Sequence, residues 1–177
     1  MEGYRVTAPL EIEHAELIWR NFSGKANKFN AEGQRNFNVI IDEDTYNVLK
    51  NDGWNAKMHL PKDETDPDAM PLFTLPVKVS FGRRPPKIVL ISNGKQVMID
   101  EKSVDMLDFI EIARNEKGES LCDLVINPYN YDVAGRQGVS GYLKAIYITI
   151  QEDRFAAKYA DSPMSAIDSI VEGAPNE

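Results

Sequence analysis

Strict alternation of apolar and polar residues recurs along this chain, and it constrains the fold more than any other feature. In FTLPVKVSF (73–81), Phe73, Leu75, Val77, Val79 and Phe81 occupy every second position. An extended strand has a side-chain period of two, so these five residues share one face. Pro76 in the same run predicts an edge strand or a bulge, because proline has no N–H for a ladder. WNAKMHL (54–60) alternates likewise, with Trp54, Ala56, Met58 and Leu60 on one face and Asn55, Lys57 and His59 on the other. KIVLISNGKQVMI (87–99) reads as a hairpin, since Asn93-Gly94 suits the positive φ values of a tight primed turn. RNFNVII (35–41), LCDLVINP (121–128) and YLKAIYITIQ (142–151) add strands, the last two joined by the loop NYDVAGRQGVSG.

Two segments read as short helices. Asp42 can cap DEDTYNVLKND, which ends at Gly53, and Asp100 can cap DEKSVDMLDFIEIA, where Val104, Leu107 and Ile110 recur at helical spacing. Seven or more strands, two short helices and no βαβ alternation predict a mainly β fold, an antiparallel barrel with elaborating hairpins. A two-sheet sandwich is the alternative. There is no internal repeat. At 177 residues the chain suits one core, expected over residues 1–160, with 161–177 as a loose, mildly acidic tail.

The net charge of −8 argues against a general polyanion binder, but the charge is segregated. Acids gather in DEDTYNVLKND, in KDETDPDAMP and after Tyr159, where Asp161, Asp168, Glu172 and Glu177 stand without a lysine or arginine. Local basic surfaces are therefore open to the rest of the chain. No apolar run approaches the roughly 18 residues of a membrane span, so no membrane is expected as a partner. The N-terminal segment has no basic n-region followed by an apolar h-region, so an intracellular protein is expected, in the host cytoplasm if viral. Cys122, the single cysteine, reads as a small buried hydrophobe within a strand.

Enzymatic chemistry finds little support. His14 and His59 lie in no ligand-spaced cluster, and no metal or cofactor is expected. Asp63, Glu64, Asp66 and Asp68 could hold magnesium for nuclease chemistry, but acids crowded into a proline-bounded loop read first as solvated charge. GRQGVSG lacks the lysine and hydroxyl residue of a phosphate-binding P-loop.

A different chemistry stands out in WRNFSGKANKFNAEGQRNF (19–37). Trp19, Phe22, Phe29 and Phe37 are interleaved with Arg20, Lys25, Lys28 and Arg35, and Glu32 is the one acid. A nucleic-acid strand with unpaired bases offers π faces for rings and phosphates for cations, whereas a duplex hides its base faces. Asn21, Asn27, Asn30, Gln34 and Asn36 add amide donors. Trp19 and Phe37 fall in expected strands and read as core; Phe22 and Phe29 flank the Gly24 turn and read as exposed. FGRRPPK (81–87) concentrates Arg83, Arg84 and Lys87 in a stiff turn, and NPYNYDVAGRQG (127–138) again sets Tyr129 and Tyr131 beside Arg136.

Taken in order, NFSGKANKFNAEGQRNFNVIID, GWNAK, LPVKVSF, NPYNYDVAGRQGVSGYLKAIYI and FAAKYAD resemble the single-stranded DNA-binding proteins of tailed bacteriophages, over roughly residues 16–160. The resemblance implies an OB-type β-barrel that coats single-stranded DNA in replication or recombination, without catalysis. It carries DNA contact to Phe22, Lys25, Lys28, Phe29, Arg35, Tyr129, Tyr131 and Arg136; Arg83, Arg84 and Lys87 rest on chemistry alone. RNA stays open as a ligand because stacking and phosphate contacts do not read the 2′-OH. Phage replication or recombination proteins and self-association stay open as partners. Many single-stranded DNA-binding proteins end in a dense acidic tip with a final aromatic; this chain ends VEGAPNE, so tail-mediated recruitment is not carried over. The alternatives are a viral interaction or structural module, with its rings mostly buried, and a metal-dependent nuclease using the acidic loop.

Overall fold

The alternating segments pair into one mixed sheet in the computed structural model, which describes residues 5–151. Its strands are β1 (Leu10–Ile12), β2 (Glu16–Asn21), β3 (Arg35–Ile41), β4 (Lys57–His59), β5 (Leu72–Val79), β6 (Lys87–Ser92), β7 (Lys95–Met98), β8 (Cys122–Val133) and β9 (Arg136–Thr149). Hydrogen bonding runs β1-β8-β9-β5-β3-β2, with β4 also on β5, β6 on β9 and β7 on β6. The fold is mainly β, as expected. The sheet is not purely antiparallel, because β9 runs parallel to two strands on one edge: first β5, through Val77↔Gly141 and Lys78↔Tyr142, then β6, from Lys87↔Ala145 to Ile91↔Thr149.

Pro76 fits this arrangement for a local reason. Strand β5 is flanked by β3 along one side, while its other side meets β4 as far as Thr74 and β9 from Val77. Pro76 falls between those two partners, and its missing N–H breaks no ladder there. It marks a change of neighbour rather than an edge.

One face of the sheet makes the core. Phe37 and Val39 of β3, Leu75 and Val77 of β5, Ile88 and Leu90 of β6, Leu124 and Ile126 of β8 and Ile146 and Ile148 of β9 are all buried in one cluster. Cys122 belongs to it, and burial first, then the neighbouring Asp123 charge, pushes its thiol pKa up to about 12. It is a buried hydrophobe.

The predicted first helix is present as α1 (Glu43–Asn51). The Asp42 carboxylate accepts from Thr45 N–H at 2.7 Å, and Gly53 takes φ 98° just beyond the helix. The second is not an α-helix. Asp100 accepts from the Ser103 N–H and hydroxyl, but the segment after it forms only a single 3₁₀ turn, Val104–Asp108. Residues three apart eclipse in a 3₁₀ helix, so the Val104/Leu107 spacing serves that geometry and buries both side chains.

Two further expectations change. WNAKMHL buries Trp54 and Ala56 but leaves Met58 and Leu60 exposed, and only Lys57–His59 forms a strand. The expected loop NYDVAGRQGVSG is strand instead: β8 and β9 continue to a two-residue turn at Ala134-Gly135, with φ 52° and 81°. The FAAKYAD segment and the 161–177 tail lie outside the described residues. Within them, no helix is long and apolar enough to cross a membrane.

Candidate nucleic-acid interface

The interface begins with an irregularity in β2. Ile18 pairs with Asn38, yet Asn21 pairs with Asn36, so two residues of β2 oppose Phe37 alone. This β-bulge sits at Trp19–Arg20, and Trp19 takes φ 53°, an uncommon backbone state for a bulky residue. The inserted residue reverses the phase of everything after it. Trp19 emerges 52% exposed with its ring edge-on to His59 at 4.9 Å, while Phe22 is fully buried and stacked on Phe37 at 5.0 Å. The expectation for Phe22 and Trp19 is therefore corrected in both directions: Phe22 is core and presents no face to a base, and Trp19 is a surface ring.

Cross-links then hold the end of β2. Arg20 Nη1 donates to the carbonyls of Leu107 and Ile110 at 3.0 and 2.9 Å, and the Asp108 carboxylate accepts from Phe22 N–H at 2.6 Å and Ser23 N–H at 3.2 Å. These bonds bring Phe109 beside the 23–34 loop. That loop is closed by Gly33 N–H donating to Gly24 O at 2.7 Å, and Gly24, at φ 73°, approaches Gly33 so closely that an added Cβ would stand 3.1 Å from its carbonyl carbon.

The asparagines work mainly as scaffold. Asn21 Oδ1 accepts from Lys25 N–H, Asn27 Oδ1 from Phe29 N–H, and Asn30 Nδ2 donates to Gln34 O at 2.7 Å. Asn36 Nδ2 in turn donates to Asn30 Oδ1 at 2.8 Å. Amides that the composition suggests for phosphates or base edges here set the loop's shape.

A groove of about 1240 Å³ lies between this loop, the outward face of β3 and β5, and Phe109. Trp19, Phe29 and Phe109 line it and are 52%, 90% and 76% exposed. Lys25 Nζ stands 5.7 Å from the Phe109 ring centre, and Lys28 Nζ 5.8 Å from that of Phe29, within cation–π range. Lys57, His59, Asn38 and Pro76 complete the floor. His59 Nε2 lies 3.0 Å from Thr74 Oγ1, and that hydroxyl donates to Asn38 Oδ1. The one carboxylate on the lining, Asp108, is occupied by its two backbone donors.

Of the sequence-predicted residues, Lys25 and Phe29 line this groove, and Lys28 stands beside it through its contact with the Phe29 ring. Arg35 does not reach it: its guanidinium lies 5.5 Å from the Phe81 ring and 3.5 Å from Glu101, and it shares the core-side face of β3 with Phe37. Tyr129 is exposed and packs edge-on to Tyr142 at 5.8 Å, on the same outward face but beyond the groove. Tyr131 is half-buried and donates to Asn55 Oδ1 at 3.1 Å. Arg136 is exposed at the β8–β9 turn, and Arg83, Arg84 and Lys87 lie at the 81–87 turn, away from the groove. Sequence reasoning missed Trp19, Phe109 and Lys57 as groove residues. Trp19 carried a signal as one of the interleaved rings but was read as core, and Lys57 carried one as a polar member of an alternating strand; Phe109 carried none. Among the described residues, no three metal-ligating side chains are arranged to hold an ion. Asp63 instead accepts from the Thr65 hydroxyl and N–H, which holds its carboxyl below the usual range.

Exposed rings set among lysines on a β-sheet face are the two kinds of group that a nucleic-acid strand with unpaired bases offers partners for. The chain belongs to the phage single-stranded DNA-binding family: the family model described as "Putative phage ssDNA-binding domain" matches residues 3–176. Among solved structures it is similar to the single-stranded DNA-binding protein from bacteriophage Enc34. The C-terminally truncated form gives a TM-score of 0.49 at 8% identity, over 82% of this chain and 87% of that one. The same protein in complex with ssDNA gives 0.46 at 9% identity, over 83% and 89%. The single-stranded DNA-binding protein gp2.5 of bacteriophage T7 gives 0.36 at 11% identity, over 97% and 98%. Comparison with curated proteins found no match.

Proposed function

We propose that the groove holds single-stranded DNA by stacking bases on Trp19, Phe29 and Phe109 and by neutralising phosphates with Lys25, Lys28 and Lys57. The observation that carries this reading is the exposure of three rings around one groove with two ammonium groups beside them. An exposed ring gains a partner when a base stacks on it, about 1–3 kcal/mol per base, whatever the base. Binding is then largely independent of sequence and suits coating of a strand during phage DNA replication or recombination, in the host cytoplasm and without catalysis. An OB-type barrel is the architecture in keeping with such use. The same ring exposure weighs against a purely structural virion module, whose aromatics would be mostly buried.

Titration with poly(dT) at two salt concentrations tests the proposal through tryptophan fluorescence, since Trp19 lines the groove and Trp54 is buried. Quenching that saturates, and that needs more poly(dT) as salt rises, is expected. Absence of binding at low salt overturns it. Competition with poly(U) reports whether RNA shares the groove.

A further inference from the structure

One rung of the sheet leads out of the groove. Asn36 of β3 pairs with Lys78 of β5, Lys78 with Tyr142 of β9, and Tyr142 with Asn127 of β8. Residues paired in this way share a face. The contacts agree, since Lys78 Nζ stands 5.7 Å from the Tyr142 ring centre and Tyr129 packs edge-on to the same ring at 5.8 Å. Three strand spacings carry the rung across about 14 Å. Asn36, at one end, lines the ring-bearing groove; Asn127, at the other, lines a separate cleft of about 680 Å³.

That cleft has a different chemistry. Arg5, Arg84, Lys87 and Lys144 line it, with neither a carboxylate nor an aromatic ring among its lining residues. Four cations gathered without an acid, in a chain of net charge −8, need a reason. Lys144 is positioned by a bulge: Ile126 pairs with Leu143 and Val125 with Ala145, so Lys144 is the extra residue, and such a residue is re-aimed away from its ladder. Lys87 lies with its ammonium 5.5 Å from the Tyr147 ring centre. Without rings the cleft has nothing for a base to stack on, but it suits phosphates.

We infer that the DNA strand leaves the ring-bearing groove along the Asn36–Lys78–Tyr142–Asn127 rung and is held by its phosphodiester backbone in the Arg5/Arg84/Lys87/Lys144 cleft. This rests on the proposed groove function and extends it: one end of the path grips bases, the other only backbone. Strands too short to span the rung use the groove alone.

The test compares two oligodeoxythymidylates, of about 5 and about 15 nucleotides, within the range of OB-type site sizes. Each is titrated into wild-type protein and into the full chain carrying Arg84→Ala with Lys144→Ala. The ratio of long to short affinity is expected to fall about tenfold in the variant, and the salt slope for the long strand to become shallower by about 1.4, two phosphates' worth. An unchanged ratio and slope overturns the inference, as does an equal loss for both lengths at an unchanged melting temperature. Should the alanine pair melt early, Arg84→Gln with Lys144→Gln keeps the side-chain stems and gives the same readout. Trp19→Ala with Phe29→Ala separates the two ideas. It should weaken both lengths, and indifference of both to it would sink the groove reading while the ratio still reports on the cleft.

Discussion

Trp19 and Phe22 have exchanged the sides that a regular strand would give them. With unbroken register from Ile18↔Asn38, Trp19 would pair with Phe37 and face the core, and Phe22 would point outward. The bulge between Ile18 and Asn21 reverses both, placing the larger ring on the groove and the smaller one in the core. The left-handed backbone at Trp19 accompanies that reversal, and such strain commonly persists where a side chain is needed in place.

Glycine adopts that backbone state without the Cβ penalty, so Trp19→Gly should be more stable than Trp19→Ala, by about 1 kcal/mol. Both should lose single-strand affinity by about 1–3 kcal/mol, the worth of one stacked base. Denaturant melts with DNA titrations of the pair decide it; equal stability of the two would remove the strain argument.

Phe29→Ala should weaken binding by about 1–3 kcal/mol and leave the melting temperature unchanged, since its ring is 90% exposed. Phe22→Ala and Phe37→Ala open a cavity in the core and should each lower stability by about 3–5 kcal/mol. If Phe29→Ala melts early, or binds as tightly as wild type, the ring is not a stacking platform.

Lys25→Ala with Lys28→Ala removes two ammonium groups from beside the groove rings. The plot of log affinity against log salt should become shallower by about one unit or more, at about 0.7 per phosphate on single strands. Parallel plots for variant and wild type would take both lysines out of the phosphate path.

Arg114 donates to both Glu16 oxygens, at 2.6 and 2.9 Å, and that bond is the first reason the Glu16 carboxyl stays below its usual 4.5. A carboxylate with a depressed folded pKa adds stability above its unfolded pKa and loses it as pH falls through the folded one. Arg114→Ala should therefore lower the melting temperature at pH 7, and the gap should narrow below pH 4.5. A remainder from the Arg114–Gly118 carbonyl bond is independent of pH. A gap that stays constant from neutral to acid would show that the ion pair contributes nothing.

The Cys122 thiol, with a pKa pushed up to about 12 and no exposed surface, should resist a thiol reagent at pH 7 until the protein unfolds. Labelling rate against denaturant measures this. Rapid labelling of the native protein would contradict its place in the core.

How far the sequence was legible depended on whether the signal was local. The Asn93-Gly94 turn, the Asp42 cap and the alternation in β5 are written within a few residues, and each is where it was expected. The bulge at Trp19 carries no glycine to announce it, and the β8–β9 turn hides behind Ala134, a residue uncommon at positive φ. Phe109 joins the groove only because Arg20 and Asp108 tie two distant segments together. The parallel pairing of β9 likewise arises from chain path and not from composition. In the candidate site, the loop cations and Phe29 were legible; the two rings supplied by a bulge and by a remote turn were not.

The many-partnered strand β9 also bears on how the chain reaches this state. It bonds β8 along one edge and both β5 and β6 along the other, and it begins only at Arg136. Until that stretch has been synthesised, β5 and β6 have no partner on the sides it will occupy. Non-local pairings of this kind slow folding, because a long loop must close before any contact rewards it. Chains halted before β9 should therefore collect as open-edged species prone to associate with one another. The final commitment to structure comes late in translation, at the strand that joins the two halves of the sheet.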